Sequence, residues 1–214
     1  MSPSCGAASG AGGRGSLGRV NKAQAILDAA LELFAEHGFA AVGVDRIGQR
    51  AGVPGPHIYR HFSGKDKLLA TLIDQAMDRL LRLTAATASD PREELELLVR
   101  GHVRFAVGDR RLLSVYSQEA RSLSDADWHR ARRRQRAYVG RWVELLRRCY
   151  PGRPALELEA AAHGAIGHIQ SVIRWPGSVL QMSGLERIIE RGVLHGLDAL
   201  AGQIQPGGAS PAQR

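Results

Sequence analysis

Residues 44–62, VDRIGQRAGVPGPHIYRHF, decide the fold of this 214-residue chain. They hold two short amphipathic segments on either side of Gly52, where glycine permits the left-handed backbone that ends a helix. The small Gly48 lets the segments cross closely, and three apolar residues are spaced to fill the angle between them: Ile47, Val53 and Ile58. This pattern predicts a helix-turn-helix unit, the second helix of which enters the major groove of DNA.

Each helix of this unit is about two turns long, so both need a further helix to pack against. The preceding sequence provides one, because apolar residues recur at helical spacing over residues 21–38. Asn21, with Gln24 three residues later, is typical of a capping box at a helix start. The third helix is predicted over residues 55–62, with Pro56 in its first turn, where proline is tolerated.

The rest of the chain favours longer helices and no sheet, since no segment alternates with period two for long. Asp90 with Glu93, and Ser183 with Glu186, are N-cap pairs that place two of the helix starts. We therefore predict an all-α fold of about nine helices, the last six over residues 65–84, 90–107, 109–120, 124–149, 155–175 and 183–202.

The organisation predicted from this pattern is an N-terminal three-helix head followed by a larger C-terminal helical bundle. The head, a helix-turn-helix DNA-binding domain, covers residues 19–65, and the bundle covers residues 66–201. Residues 1–18 and 202–214 are rich in small and polar residues, so we expect flexible tails there.

Composition excludes several classes of protein. The two cysteines, Cys5 and Cys149, cannot form a disulfide framework, and there is no apolar run as long as the roughly 18 to 20 residues of a membrane span. Residues 1–18 lack the apolar core of a signal peptide. A soluble cytoplasmic protein with no membrane partner is therefore expected. The 26 Arg against 3 Lys reflect either selection for anion binding or the bias of a GC-rich genome.

Four segments occur in order between about residues 20 and 69: ILDAALELFAEHGF, VDRIGQRAGV, GPHIYRHF and KDKLL. Together they resemble the DNA-binding head of the TetR family of bacterial regulators, and GPHIYRHF is most similar to the actinobacterial branch. The resemblance implies a homodimer that binds a palindromic operator in double-stranded DNA and represses transcription. It also implies release by a small hydrophobic effector in the C-terminal domain, of the kind represented by acyl-CoA thioesters.

By position, the resemblance places DNA contacts on eight residues: Lys22, Gly55, Pro56, His57, Tyr59, Arg60, His61 and Lys65. The lysines would anchor phosphates, and the recognition helix would provide the other contacts. Pro54 and Gly43 replace hydroxyl residues common in the family, which puts contacts at those two positions in doubt. The alternative is that Tyr59, His61 and Phe62 only pack the head, and for Phe62 we expect packing.

A run of arginines follows in the predicted helix 124–149, from Arg130 to Arg148. At 100° per residue the apolar residues of this helix fall on one arc and the arginines on the rest, which predicts a bundle helix with a basic solvated side. Two alternatives remain: a surface for the phosphates of an anionic ligand, and an auxiliary DNA contact.

The larger domain also holds the candidate residues for an effector pocket and a dimer interface. Pocket candidates are aromatic or polar residues that serve equally well as core: Phe105, Tyr116, Tyr138, Trp142, His163 and Gln170. Interface candidates lie on the last two long helices, where glycine is tolerated if two backbones come close: Gly164, Gly167, Ile188, Gly192 and Gly196. Close packing inside one subunit is the alternative for this second set.

Rival functions fit the sequence less well. It contains no H-E-x-x-H, G-x-S-x-G or P-loop motif, and His163 and His168 are five residues apart, so we expect no enzyme, no cofactor and no metal. A DNA-packaging protein would explain the net charge of +8 but not the bundle. An activator remains an alternative to a repressor.

The distribution of charge qualifies this picture. Residues 20–65 hold five basic and four acidic residues, a balance of +1, whereas residues 129–148 hold eight arginines and one glutamate, a balance of +7. Most of the positive charge therefore lies outside the predicted head.

Overall fold

The computed structural model describes residues 13–202. In this range the chain is all-helical, as predicted, with no strand, and two short 3-10 segments accompany ten α-helices. The helices are α1 (Gly13–His37), α2 (Val44–Ala51), α3 (Gly55–Ile58), α4 (Lys65–Leu83), α5 (Pro91–Gly108), α6 (Arg110–Glu119), α7 (Asp125–Cys149), α8 (Ala155–Gln170), α9 (Gly177–Leu180) and α10 (Leu185–Gly202).

The chain divides into two compact units, with the boundary between Leu72 and Ile73. We call them the head unit and the bundle unit. The boundary falls inside α4, so this one helix contributes its first turns to the head unit and its remainder to the bundle unit.

The head unit buries one apolar face from each of its helices. Residues of α1 to α4 that are at most 1% exposed include Ile26, Ala30, Leu33, Phe34, Ile47, Ile58, Leu68 and Leu69. The Phe34 ring packs edge-on against Phe39, with 5.3 Å between ring centroids. Because α2 and α3 are too short to be stable alone, burial against α1 and α4 is what holds them.

The bundle unit has α5 at its centre. Helix α5 packs against both α7 and α10. Six of its side chains are completely buried: Leu95, Leu98, Val99, His102, Val103 and Ala106. At Gly101 the backbone of α5 lies so close to the Leu83 carbonyl that a side chain there would collide with it. Within the described range no helix combines the length and apolar character needed to cross a bilayer.

The start of α1 corrects the sequence prediction. The helix begins at Gly13 instead of Asn21, since no proline interrupts the chain between Pro3 and Pro54. The capping box at Asn21 is therefore wrong, and Gln24 Nε2 instead donates to Asp28 Oδ1 at 2.8 Å. Of the predicted tails, residues 13–18 and 202 are helical, and the remainder, 1–12 and 203–214, lies outside the described residues.

Other predicted boundaries differ by a few residues. The helix predicted to end at residue 175 ends at Gln170 and continues as a 3-10 segment, and α10 begins at Leu185 instead of Ser183. The four-residue α9 was missed, because a single helical turn shows no periodicity. The caps at Asp90 and Ser124 are confirmed: their side chains accept the backbone N–H of Glu93 at 2.8 Å and of Asp127 at 3.3 Å.

Candidate functional site

The turn between α2 and α3 has the predicted helix-turn-helix geometry. Gly52 has φ +67°, in the left-handed region, and the Val53 N–H donates to the Gly48 carbonyl at 3.0 Å. A Cβ added at Gly48 would lie 2.8 Å from the Val53 carbonyl oxygen, so this position requires glycine. Ile47 and Ile58 are completely buried on the inner side. These contacts fix the angle between the two helices.

The recognition helix is shorter than predicted. It is α-helical only from Gly55 to Ile58, and residues 59–61 continue as turns in which His61 N–H donates to the Ile58 carbonyl at 2.9 Å. Tyr59 is 61% exposed, Pro56 and Arg60 are also exposed, and His57 and His61 are half-buried. Because a structural packing role would bury the Tyr59 ring, its exposure favours a contact with a partner.

Gly55 has a steric function that the sequence did not reveal. A Cβ at this position would collide with the Asp45 carboxylate, which lies against the Gly55 backbone at the start of the recognition helix. Asp45 occupies the first turn of α2, where a negative charge is favourable. A side chain at position 55 would therefore require the Asp45 carboxylate to move.

The two lysines predicted to anchor phosphates have different environments. Lys22 is exposed on α1. Lys65 Nζ instead donates to the carbonyls of Phe39 at 3.2 Å and Val42 at 3.4 Å, and lies 4.4 Å from the centre of the Phe39 ring. The Lys65 ammonium thus holds the loop between α1 and α2, and a phosphate contact from it would compete with these bonds.

The bundle unit encloses a cavity of about 140 Å³ among α4, α5, α6, α7 and α8. Its wall includes five of the six pocket candidates: Phe105, Tyr116, Tyr138, His163 and Gln170. Trp142 does not line it, and its prediction as a pocket residue is wrong. One turn beyond Tyr138 on α7, the Trp142 ring is fully buried, with its centroid 6.0 Å from that of His102.

His102 forms a buried polar contact behind the cavity wall. Its Nδ1 lies 3.1 Å from Tyr138 Oη, a hydrogen bond that links α5 to α7. Complete burial lowers the pKa of His102 to about 3, so the imidazole is neutral, and burial raises the pKa of Tyr138. The buried contact of His102 could not be predicted from the sequence, because a single histidine within an apolar helix has no distinctive spacing.

Three of the eight arginines of α7 form ion pairs with other helices of the bundle unit. Arg130 Nη2 lies 2.8 Å from Asp74, Arg134 binds Asp74 and Asp78, and Arg148 lies 2.7 Å from Glu94. The predicted solvated basic side is thus partly wrong, because the partner carboxylates are more than fifty residues away in sequence. Four arginines of α7 form no ion pair among the described residues: Arg132, Arg133, Arg136 and Arg141.

The glycine-rich sides of α8 and α10 are exposed. A Cβ at Gly164, Gly167 or Gly196 would have no atom within 4 Å, whereas at Gly192 it would lie 3.1 Å from the His168 ring. Ile188, on α10, is 56% exposed. The alternative of close packing inside one subunit therefore does not account for three of the four glycines.

Two family models match the chain, one for each unit. Residues 26–72 match the model described as bacterial regulatory proteins, tetR family, and residues 88–175 match the tetracyclin repressor-like C-terminal domain. The chain is therefore a helix-turn-helix protein of two units: one contains the helix-turn-helix, and the other is a helical bundle with a cavity. The chain belongs to the TetR family of bacterial regulatory proteins.

Curated relatives and solved structures agree with this assignment. The transcriptional activator FasR of Mycolicibacterium smegmatis is 36% identical over 39% of this chain and 40% of its own length. The transcriptional repressor Rv3405c of Mycobacterium tuberculosis is 37% identical over 46% and 50%. The chain thus spans about half or less of these relatives' length. A tetR-family protein from Rhodococcus RHA1 shares the fold, with a TM-score of 0.73 and 23% identity over 84% of this chain and 96% of that one.

Proposed function

We propose that this protein is a DNA-binding transcriptional regulator of the cytoplasm that binds a palindromic operator as a homodimer and responds to a small hydrophobic effector. The observation that carries the proposal is the helix-turn-helix unit, in which buried Ile47 and Ile58 fix α2 and α3 while Tyr59 is 61% exposed. This arrangement leaves the Tyr59 hydroxyl accessible directly after α3, where it can reach a base edge or a phosphate.

The proposed DNA surface uses the eight predicted residues in two ways. Lys22 and Lys65 contact phosphates, and the residues around α3 contact base edges or nearby phosphates: Gly55, Pro56, His57, Tyr59, Arg60 and His61. The exposure of Tyr59 and Arg60 supports this division. The balance of only +1 over residues 20–65 implies a modest non-specific electrostatic contribution.

The proposed dimer forms through α8 and α10. Ile188 provides exposed apolar area for this contact. Four exposed glycines permit the close approach of a second copy: Gly164, Gly167, Gly192 and Gly196. A twofold dimer would place two heads on successive major-groove faces, about 34 Å apart. That geometry explains why a palindrome is the expected operator.

The proposed effector site is the cavity of the bundle unit. Helix α4 contributes Ala76, Met77 and Leu80 to its wall and also belongs to the head unit. A ligand that favours one position of α4 would therefore shift the population of DNA-binding conformations, by no more than its differential affinity for the two states. At about 140 Å³ the cavity holds the short acyl part of an acyl-CoA thioester and not the rest of it.

A genomic map of binding sites, followed by binding assays on the recovered sequence, tests the proposal. We expect one palindromic site with strong, salt-dependent binding and much weaker binding to scrambled DNA. Equal affinity for all sequences would indicate a packaging protein instead. Because FasR is named an activator and Rv3405c a repressor, reporter expression with and without the protein decides the direction of regulation.

A further inference from the structure

The exposed side of α7 borders a groove between α7 and α8 with a volume of about 510 Å³. Four charged residues lie along it: Arg132, Arg136, Glu144 and Glu159. The groove shares no lining residue with the glycine-rich surface of α8 and α10. The proposed function leaves this groove unused.

The four charged lining residues balance to zero, but the ion pair of Glu144 with Arg147, which lies outside the lining, leaves the arginines in excess. Arg132 and Arg136 are exposed and form no ion pair with any described residue. Glu144 accepts two bonds from Arg147 Nη2, at 2.7 and 3.0 Å, and this contact lowers the pKa of Glu144. The Arg132 guanidinium lies 5.4 Å from the centre of the Trp128 ring. The groove therefore holds two arginines without an ion pair and one other carboxylate, that of Glu159.

The groove and the cavity are neighbours with a common wall. Gln135, Val139 and His163 line both of them. The charge of Arg132 also acts inside the cavity, because burial raises the pKa of Tyr116 on the cavity wall and Arg132 opposes that rise. A single ligand that passes this wall would place one end among apolar side chains and the other beside arginines.

We propose that the effector is an amphipathic anion, with a carboxylate or phosphate head against Arg132 and Arg136 and an apolar segment in the cavity. This inference rests on the proposed function in one respect: the ligand is called the effector because the protein is proposed to be a regulator. Guanidinium groups bind both head chemistries through paired N–H donors. A cavity of about 150 Å³ holds benzene, so the apolar segment has about six carbon atoms.

Isothermal titration calorimetry of the full-length protein with three eight-carbon probes tests which head group the protein prefers. The probes are octanoate, octyl phosphate and the neutral octanol, whose eight carbons fill the cavity and cross the common wall. We expect at least one anion to bind about tenfold or more tightly than octanol, the difference of one charge-assisted contact. The preferred anion shows whether the natural head is a carboxylate or a phosphate.

Three variants locate the head group on the protein. We expect Arg136→Gln to weaken binding of the preferred anion about tenfold and Arg132→Gln/Arg136→Gln to reduce it to the level of octanol. Arg133→Gln is the matched control, since Arg133 is an exposed arginine of the same helix that does not line the groove. Unchanged melting temperatures of all three would show that the fold is intact.

Two results would overturn the inference: octanol binding as tightly as both anions, or equal loss of binding in Arg133→Gln and Arg136→Gln. Absence of binding by either anion up to millimolar concentration would also overturn it. Operator binding, measured separately by gel shift, tests the proposed function. A protein that binds its palindrome but no anion refutes the inference alone, and one that binds the anion but no palindrome refutes the proposed function alone.

Discussion

Arg130 Nη2 of α7 lies 2.8 Å from Asp74 Oδ2 of α4. Arg134, one turn further along α7, contacts the same carboxylate at 3.3 Å and also binds Asp78. These ion pairs attach α4 to the helix that forms one wall of the cavity. Asp74 and Asp78 flank Ala76 and Met77 in sequence, two residues of α4 that line the cavity.

Replacing Asp74 with Asn should destabilise the bundle unit by about 1 kcal/mol, because the side chains are about one-third exposed and solvent screens the pairs. Urea unfolding at low and high salt measures the effect, which should shrink as salt rises. Asp66→Asn is the control, since Asp66 is an exposed carboxylate of α4 without an ion pair among the described residues. Equal loss in both variants would contradict the role of Asp74.

Tyr59→Ala should weaken operator binding while the far-UV helical signal stays unchanged. The physical reason is that Tyr59 is 61% exposed, so its removal costs little packing. Gel shifts and circular dichroism measure the two properties. Leu156→Ala, which truncates a 79% exposed apolar side chain on α8, is the control. Loss of helical signal in Tyr59→Ala would support the packing alternative.

Lys22→Met and Lys65→Met should separate a phosphate contact from a structural one. Lys22→Met should lower operator affinity and reduce the salt dependence of binding by about one unit of slope, with stability unchanged. Lys65→Met should in addition lower the melting temperature, since three carbonyls of the loop between α1 and α2 lose their donor. Thermal unfolding with salt-dependent gel shifts checks both, and equal stability of the two variants would argue against the loop contact.

Gly196→Leu should convert a dimer to a monomer and greatly weaken operator binding. A side chain at this position meets no atom within 4 Å in its own chain, and leucine favours a helix over glycine by about 1 kcal/mol, so the single chain should stay folded. Light scattering after size exclusion measures the mass. Gly108→Leu, equally open on α5, is the control and should remain a dimer.

His102 should make stability depend on pH. Its pKa is lowered to about 3 in the folded state, so between about 6.5 and 3 the unfolded chain binds a proton that the folded chain does not. The free energy of unfolding should therefore fall by about 1.4 kcal/mol per pH unit below about pH 6.5. His102→Gln should remove this contribution, and His129→Gln, an exposed control, should retain it. Unfolding in urea at several pH values checks both variants.

The head was predictable because its signals are local. Gly52 with φ +67° and the buried pair Ile47 and Ile58 follow from spacings of a few residues. The start of α1 was not predictable, since Asn21 is equally compatible with a cap and with a helix interior. The same ambiguity affected Trp142, which shares a helix face with Tyr138 but packs one turn beyond the cavity.

The all-helical fold and the helix-turn-helix unit follow from the sequence, because helical periodicity and turn glycines act over short spans of chain. Of the thirteen residues that line the cavity, the sequence predicted five. Tertiary structure alone decided how the arginines of α7 are used. Arg130 and Arg134 form ion pairs with carboxylates of α4, whereas Arg132 and Arg136 form no ion pair among the described residues and line a groove. Ion pairs depend on which helices meet in space, and no local pattern records that.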